Sequence, residues 1–279
     1  MANSKNELTK LDENEVAVPS FLQEYHGATG SEDIDTDDLT IPRIKLCQAM
    51  TPEVQDGDAR PGDFMVNVTG EILEQPLRFV PLAVGKEYIL WNPERGQGIL
   101  ARAKRVFHGG QAKYLWDKQD ETFDVKFRNG PKVTWTTKRF VEDNSMHKFG
   151  SAIPDDPESG PAATAHHNIV VALPDYDDMI VALSLSKSQE KRARDLNAML
   201  KMSKLPIFAR MFEVRAVDER SGAGDEYKNY KFSPAGVVQD AARFENYKAI
   251  FESFKDSGFN VDQSGEETSS SYGDDEKAF

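Results

Sequence analysis

One cysteine, Cys47, stands in 279 residues, so no disulfide within the chain can staple the fold. That usage fits a reducing compartment. No CxxC occurs, and His26, His108, His147, His166 and His167 make no metal-ligand spacing with Cys47. Walker loop, GxSxG elbow and Rossmann fingerprint are all missing. Asp33, Asp35 and Asp37 have the alternate spacing that opens a calcium loop. Asp38 stands where that loop needs Gly, however, and Ile44 where it needs its closing Glu. These absences predict a non-enzymatic protein with no catalytic residues, no cofactor and no metal. No apolar run approaches the ~18 residues of a membrane span, and MANSKNELTK lacks the apolar core of a signal peptide. A cytoplasmic protein with no membrane partner is expected.

Apolar residues make up 39% of the chain, which is little for a compact protein, so part of it is expected to stay unpacked. The net charge of -13 is uneven. Residues 1–41 hold ten acids against two lysines, and residues 256–279 hold seven acids against one lysine. The ends therefore carry the acidity, and the middle is close to neutral. Three segments follow: an acidic, largely disordered arm at 1–38, a body at 39–256, and a disordered acidic tail at 257–279.

Within the body the pattern is short strands broken by glycine turns. Residues 64–68 read as a strand, 77–84 as a buried strand, and 87–91 as its hairpin partner across Gly85-Lys86. Residues 99–107 alternate, His108-Gly109-Gly110 turns the chain, and 123–127 and 132–140 alternate again. After a Pro/Gly-rich loop, strands at 168–173 and 179–185 flank an aspartate-rich turn. Residues 186–202 have helical spacing and a basic face, with Ser186 or Ser188 as cap. Residues 206–217 and the segment YKNYKF read as strands, and 237–256 as a second helix. The fold class expected is β-rich α+β: an antiparallel OB-like barrel with added strands and two covering helices.

What is plentiful is positive charge among aromatics. Residues 78–148 carry 14 Lys/Arg against 8 Asp/Glu, and this stretch holds all three tryptophans. Rings that stack on bases and cations that track phosphates are what single-stranded nucleic acid requires. Candidate stacking residues are Tyr88, Trp91, Tyr114, Trp116 and Trp135, with Tyr227 and Tyr230 of YKNYKF. Candidate phosphate contacts are Arg95, Arg102, Lys104, Arg105, Lys126, Arg128, Lys138, Arg139, Lys228 and Lys231. The bland alternative makes the tryptophans core and the cations a solvated face. The tail ends in Asp274, Asp275, Glu276 and a terminal Phe279, after Lys277. It reads either as a plain solubilising tail or as a linear motif with one apolar anchor for a basic pocket.

In layout the chain resembles the acidic-tailed single-stranded DNA-binding proteins of tailed bacteriophages. The likeness rests on the basic aromatic body, the covering helix and the tail closing on Phe279. LTIPRIKLCQAMTPEV, GDFMVNVTGEIL and LRFVPLAVGKEYILWNPERG look like phage replication-region segments. The resemblance implies an OB-fold that binds single-stranded DNA without sequence preference, in the host cytoplasm. It also implies a tail that recruits replication or recombination proteins, and it leaves a homo-oligomer open. The length exceeds a minimal OB domain, so the additional elements need an account. Two other readings stand beside it. One is a structural or scaffold protein of a virion or assembly. The other is a Mg²⁺-dependent nuclease using Asp175, Asp177 and Asp178.

Overall fold

The computed structural model describes residues 40–94, 97–128, 130–222, 224–257 and 259–263. Contacts divide the chain between Leu39 and Thr40. The expectations for the arm at 1–38 and for 264–279 lie outside the described residues.

The strands are β1 (Arg43–Leu46), β2 (Phe64–Val66), β3 (Ile72–Leu73), β4 (Leu77–Trp91), β5 (Ile99–His108) and β6 (Gln111–Trp116). They continue with β7 (Thr122–Lys126), β8 (Lys132–Thr136), β9 (Ala163–Leu173), β10 (Met179–Ser186), β11 (Arg210–Arg220) and β12 (Glu226–Val237). The helices are α1 (Pro52–Gln55), α2 (Glu190–Met202) and α3 (Ala241–Ser257). Ten strands form one mixed sheet in the order β12-β11-β4-β9-β10-β1-β2-β3, with β5 and then β6 branching from β4. The β1–β10 pair is parallel. β7 and β8 form a separate ribbon. The β-rich α+β class with α2 and α3 as covers is what the pattern predicted.

The barrel is not. The sheet's end strands, β12 and β3, share no ladder. The sheet curls around one core, where Phe64 of β2 stacks on Tyr230 of β12 at 5.7 Å between ring centroids. The seam is then spanned by side chains. The Gln48 amide accepts from the Lys228 backbone N–H and donates to its carbonyl, both at 2.9 Å. Gln75 accepts from the Ala216 N–H and donates to the Gly62 carbonyl, both at 2.7 Å. Two glutamines thus occupy strand-edge groups that a closed barrel would pair with backbone.

β4 corrects a second expectation. Gly85-Lys86 is no turn: β4 runs straight through it for 15 residues. The cause is β9, which pairs with β4 from Val80↔Ala172 to Leu90↔Ala163 and leaves no room for a reversal. Gly85 serves close approach instead, because a Cβ there would stand 2.9 Å from Cζ of Phe259. Both faces of β4 are covered. Leu77 and Phe79 point into the curled core with β1, β2, β10–β12 and α2. Val80 and Leu82 face the opposite core, closed by Tyr247 of α3 and by Phe208. Farther along, Tyr88 and Leu90 enter a third core with β5, β6 and the β7–β8 ribbon.

The packed chain extends beyond the boundary expected at 257. The Ile41 N–H donates to the Asn260 carbonyl and the Asp262 N–H donates to the Ile41 carbonyl, each at 3.0 Å. Phe259 and Val261 join the α3 core, and Gln263 is 2% exposed. Composition missed this segment because its ordering comes from two aromatic and aliphatic anchors in an otherwise polar run.

Cys47 is fully buried, and burial pushes its thiol up to about 11. A maleimide is therefore expected to leave the native protein unmodified and to label it once in denaturant; rapid native labelling would contradict that burial. Gly85→Ala is expected to lower stability by ~1–3 kcal/mol in denaturant unfolding, since a rigid ring on the core side must move.

Candidate nucleic-acid interface

The expected stacking surface is mostly core. Trp91 and Trp135 are 3% exposed, and Trp116 and Tyr230 are 1% exposed. Tyr88 is buried as well. Strand alternation explains it: every second residue turns inward, so interleaved rings and cations are sorted onto opposite sides. Trp116 lies across from Ala103, whose small side chain leaves space for the indole. The Trp135 Nε1–H donates to the Ala152 carbonyl at 3.0 Å. These five rings are covered, so as described they offer no face to a base. Tyr114 is half-buried.

YKNYKF is not the second wall of a groove. β11, its partner, joins β4 at Leu77–Phe79, whereas β5 joins β4 at 87–91. Phe79 and Glu87 are ~26 Å apart at 3.3 Å per residue. Tyr227 donates to Glu219 at 3.0 Å, and Lys228 pairs with Asp218 at 2.6 Å. Lys231 is exposed on β12.

The cations fare differently. Lys104, Arg105, Lys126, Arg128, Lys138 and Arg139 are exposed, and Arg102 is half-exposed. Among the described residues, none of these seven is in an ion pair. Pairing does separate them. Lys104 lies opposite Glu87 and donates to Asn260 at 2.6 Å on one side of the sheet. Arg105 lies opposite Tyr114 on the other. Arg95 lies outside the described residues, as do Asp274, Asp275, Glu276 and Phe279.

On that second side a polar row crosses four strands. His167 of β9 lies opposite Lys86 of β4. Tyr88 lies opposite Ala103 of β5, so Arg105, two residues on, shares its face. Arg105 lies opposite Tyr114 of β6. His167, Lys86, Arg105 and Tyr114 therefore share one face of four neighbouring strands, with Lys86 and Arg105 one step beyond the last β4–β5 pair, Glu87↔Lys104. The row sits where the curled core gives way to the third core. The Lys86 Nζ donates to the Tyr88 hydroxyl at 3.0 Å. It also lies 4.7 Å from the Tyr88 ring centroid and 5.7 Å from that of Tyr114. The His147 ring stands 5.7 Å from Tyr88. Near the tip of the β5–β6 hairpin Phe107 is 76% exposed, with the Arg105 guanidinium 5.2 Å from its ring.

Electrostatics along the row is set by burial and by Lys86. Burial, then the adjacent Lys86, hold His167 below the usual imidazole range, against the pull of Glu190. Burial also lowers His147, with Glu142 opposing and Lys148 and Lys86 assisting. Burial raises the Tyr114 phenol. Sequence reasoning missed Lys86, His147 and His167. Lys86 was hidden by the turn expected at Gly85-Lys86; a strand read through that point would have placed it beside Tyr88 on the same face.

Among the described residues no group of histidine, cysteine and carboxylate side chains could hold a metal ion. None of their helices is long and apolar enough to cross a membrane.

Two measurements check this geometry. Tryptophan emission is expected to be blue-shifted and poorly quenched by iodide; strong quenching would mean that a ring is exposed. The two depressed histidines bind protons more readily in the unfolded state. Stability is therefore expected to fall as pH drops below ~6.5, toward the folded-state values, with His147→Gln and His167→Gln flattening the slope.

Compared with known proteins, residues 11–260 match the model of a family described as Pam3 phage gp34-like protein. No curated protein and no solved structure matches the chain.

Proposed function

The chain belongs to the Pam3 phage gp34-like family, and from that premise we propose that it binds single-stranded DNA, without sequence preference, in phage replication or recombination. The observation that carries this reading is the row His167–Lys86–Arg105–Tyr114, continued by the exposed Phe107. The row brings a half-buried ammonium, an exposed guanidinium and a phenol to one face. Around it, residues 99–149 hold eleven Lys/Arg against six Asp/Glu. A strand bound here takes its affinity chiefly from phosphates, and Phe107 with the edge of Tyr114 supplies what stacking remains. Such binding needs no metal and no catalytic group. In this reading the tail around Asp274, Asp275, Glu276 and Phe279 recruits replication or recombination partners, and the protein works in the host cytoplasm.

A structural or scaffold role is the competing reading, and burial of the three tryptophans favours it. A salt titration of fluorescent oligo-dT separates the two. Binding is expected to weaken with salt, at a slope of about -0.7 for each phosphate neutralised. Arg105→Glu is expected to weaken it about tenfold or more, because a hydrogen bond to a charged group contributes ~1.5 kcal/mol or more. Lys231→Glu, on β12 at the far end of β4, is expected to change little. Absence of binding by the full chain at low salt would leave the scaffold reading standing.

A further inference from the structure

We propose that Lys86 and Arg105, with the hydroxyls of Tyr88 and Tyr114, form a discrete site for one phosphate group. The inference rests on the nucleic-acid reading of the same face and fixes the point at which that face grips its ligand.

The chemistry follows from what each group has left to offer. An ammonium carries three donors. Among the described residues, Lys86 uses one of them, to the Tyr88 hydroxyl at 3.0 Å. That hydroxyl accepts from Lys86, so its own proton is free to be donated. Lys86 is half-buried on an interior strand and braced by two rings, at 4.7 and 5.7 Å. The charge is thus held in place, unlike that of a free surface lysine. Arg105 lies opposite Tyr114 in the β5–β6 ladder and the Lys86 Nζ is 5.7 Å from the Tyr114 ring, so both cations border one phenol.

Each neighbouring carboxylate has a partner other than Lys86 or Arg105. Glu87 points to the opposite side of β4, where the Asn168 side chain donates to it at 2.7 Å. Glu190 is held by Arg194 at 3.0 Å. Glu142 accepts from the Tyr114 backbone N–H at 3.3 Å. One imidazole nitrogen adds a further observation. His147 Nδ1 is buried with no hydrogen-bond partner, whereas His167 Nε2 faces Glu190 Oε1 at 3.7 Å. Native interiors seldom leave such an atom unpaired, and a bound anion or its water shell would account for His147 Nδ1. A braced ammonium with donors to spare, a second cation and two tyrosine hydroxyls suit a tetrahedral oxyanion, either a phosphodiester of a strand or free phosphate.

The test uses the full chain at constant ionic strength. Inorganic phosphate replaces chloride and the thermal midpoint is followed in wild type and Lys86→Met, which keeps the hydrocarbon stem over the tyrosine rings. A saturable rise in wild type that is lost in Lys86→Met is expected. An equal rise in both proteins, or none in either, overturns the site. Should Lys86→Met fold poorly, Arg105→Gln replaces it. A second arm measures oligo-dT by anisotropy, with phosphate as competitor. Oligo-dT binding without a Lys86-dependent phosphate effect sinks the site and spares the nucleic-acid reading. A Lys86-dependent phosphate effect without oligo-dT binding keeps the site, with free phosphate as its ligand, and sinks the nucleic-acid reading.

Discussion

The pairing of β4 with β9 is the constraint on which the rest depends. Their ladder joins Val80 to Ala172 at one end and Leu90 to Ala163 at the other. Each further antiparallel step fixes the register of the side chains on both faces, and slipping by one residue would exchange the cores. With that ladder in place, the first part of β4 serves the curled core, and its last part carries β5, β6 and the core around Trp116 and Trp135. The β5–β6 hairpin is a branch of the central strand, and it sits where it does because β4 is long.

The same ladder explains why the candidate site lies at a border. Hydrophobic residues fill the sheet face on either side, and the row from His167 to Tyr114 crosses between them. Interiors close over apolar groups with ease, whereas ammonium, guanidinium and imidazole resist burial unless they are paired. A row of such groups therefore falls where two cores meet and neither is complete. Phe107 and Arg105 extend it toward the hairpin tip, where Gly109 and Gly110 take φ of 58° and 76° and allow the tight reversal.

Much of the fold was legible in residue order. Alternation over 99–107 and the glycine pair after it gave β5 and its turn almost to the residue, and the apolar spacing of Ala193, Leu196 and Leu200 gave the buried stripe of α2. Failures came where a local signal met a distant partner. Gly85 looked like punctuation because nothing nearby hints at Phe259. The tryptophans looked like platforms because a strand's alternation does not say which side faces water. The barrel was expected because short strands imply closure, and the glutamines at the seam are visible only in three dimensions. Of the candidate site, Arg105, Tyr88 and Tyr114 were legible from composition; Lys86 and the histidines were not, since cross-strand neighbours are far apart in sequence.

The short contact between Ile41 and Val261 has a mechanical side. The two segments run parallel there, held by the Ile41 N–H on Asn260 and the Asp262 N–H on Ile41. Tension applied through the chain's two ends would pull these parallel segments past each other along their length. The hydrogen bonds would then be loaded together, in shear, and not opened one by one. The point where the body receives and releases the chain is accordingly a clamp, and a pull on either acidic extension meets it before it reaches the sheet.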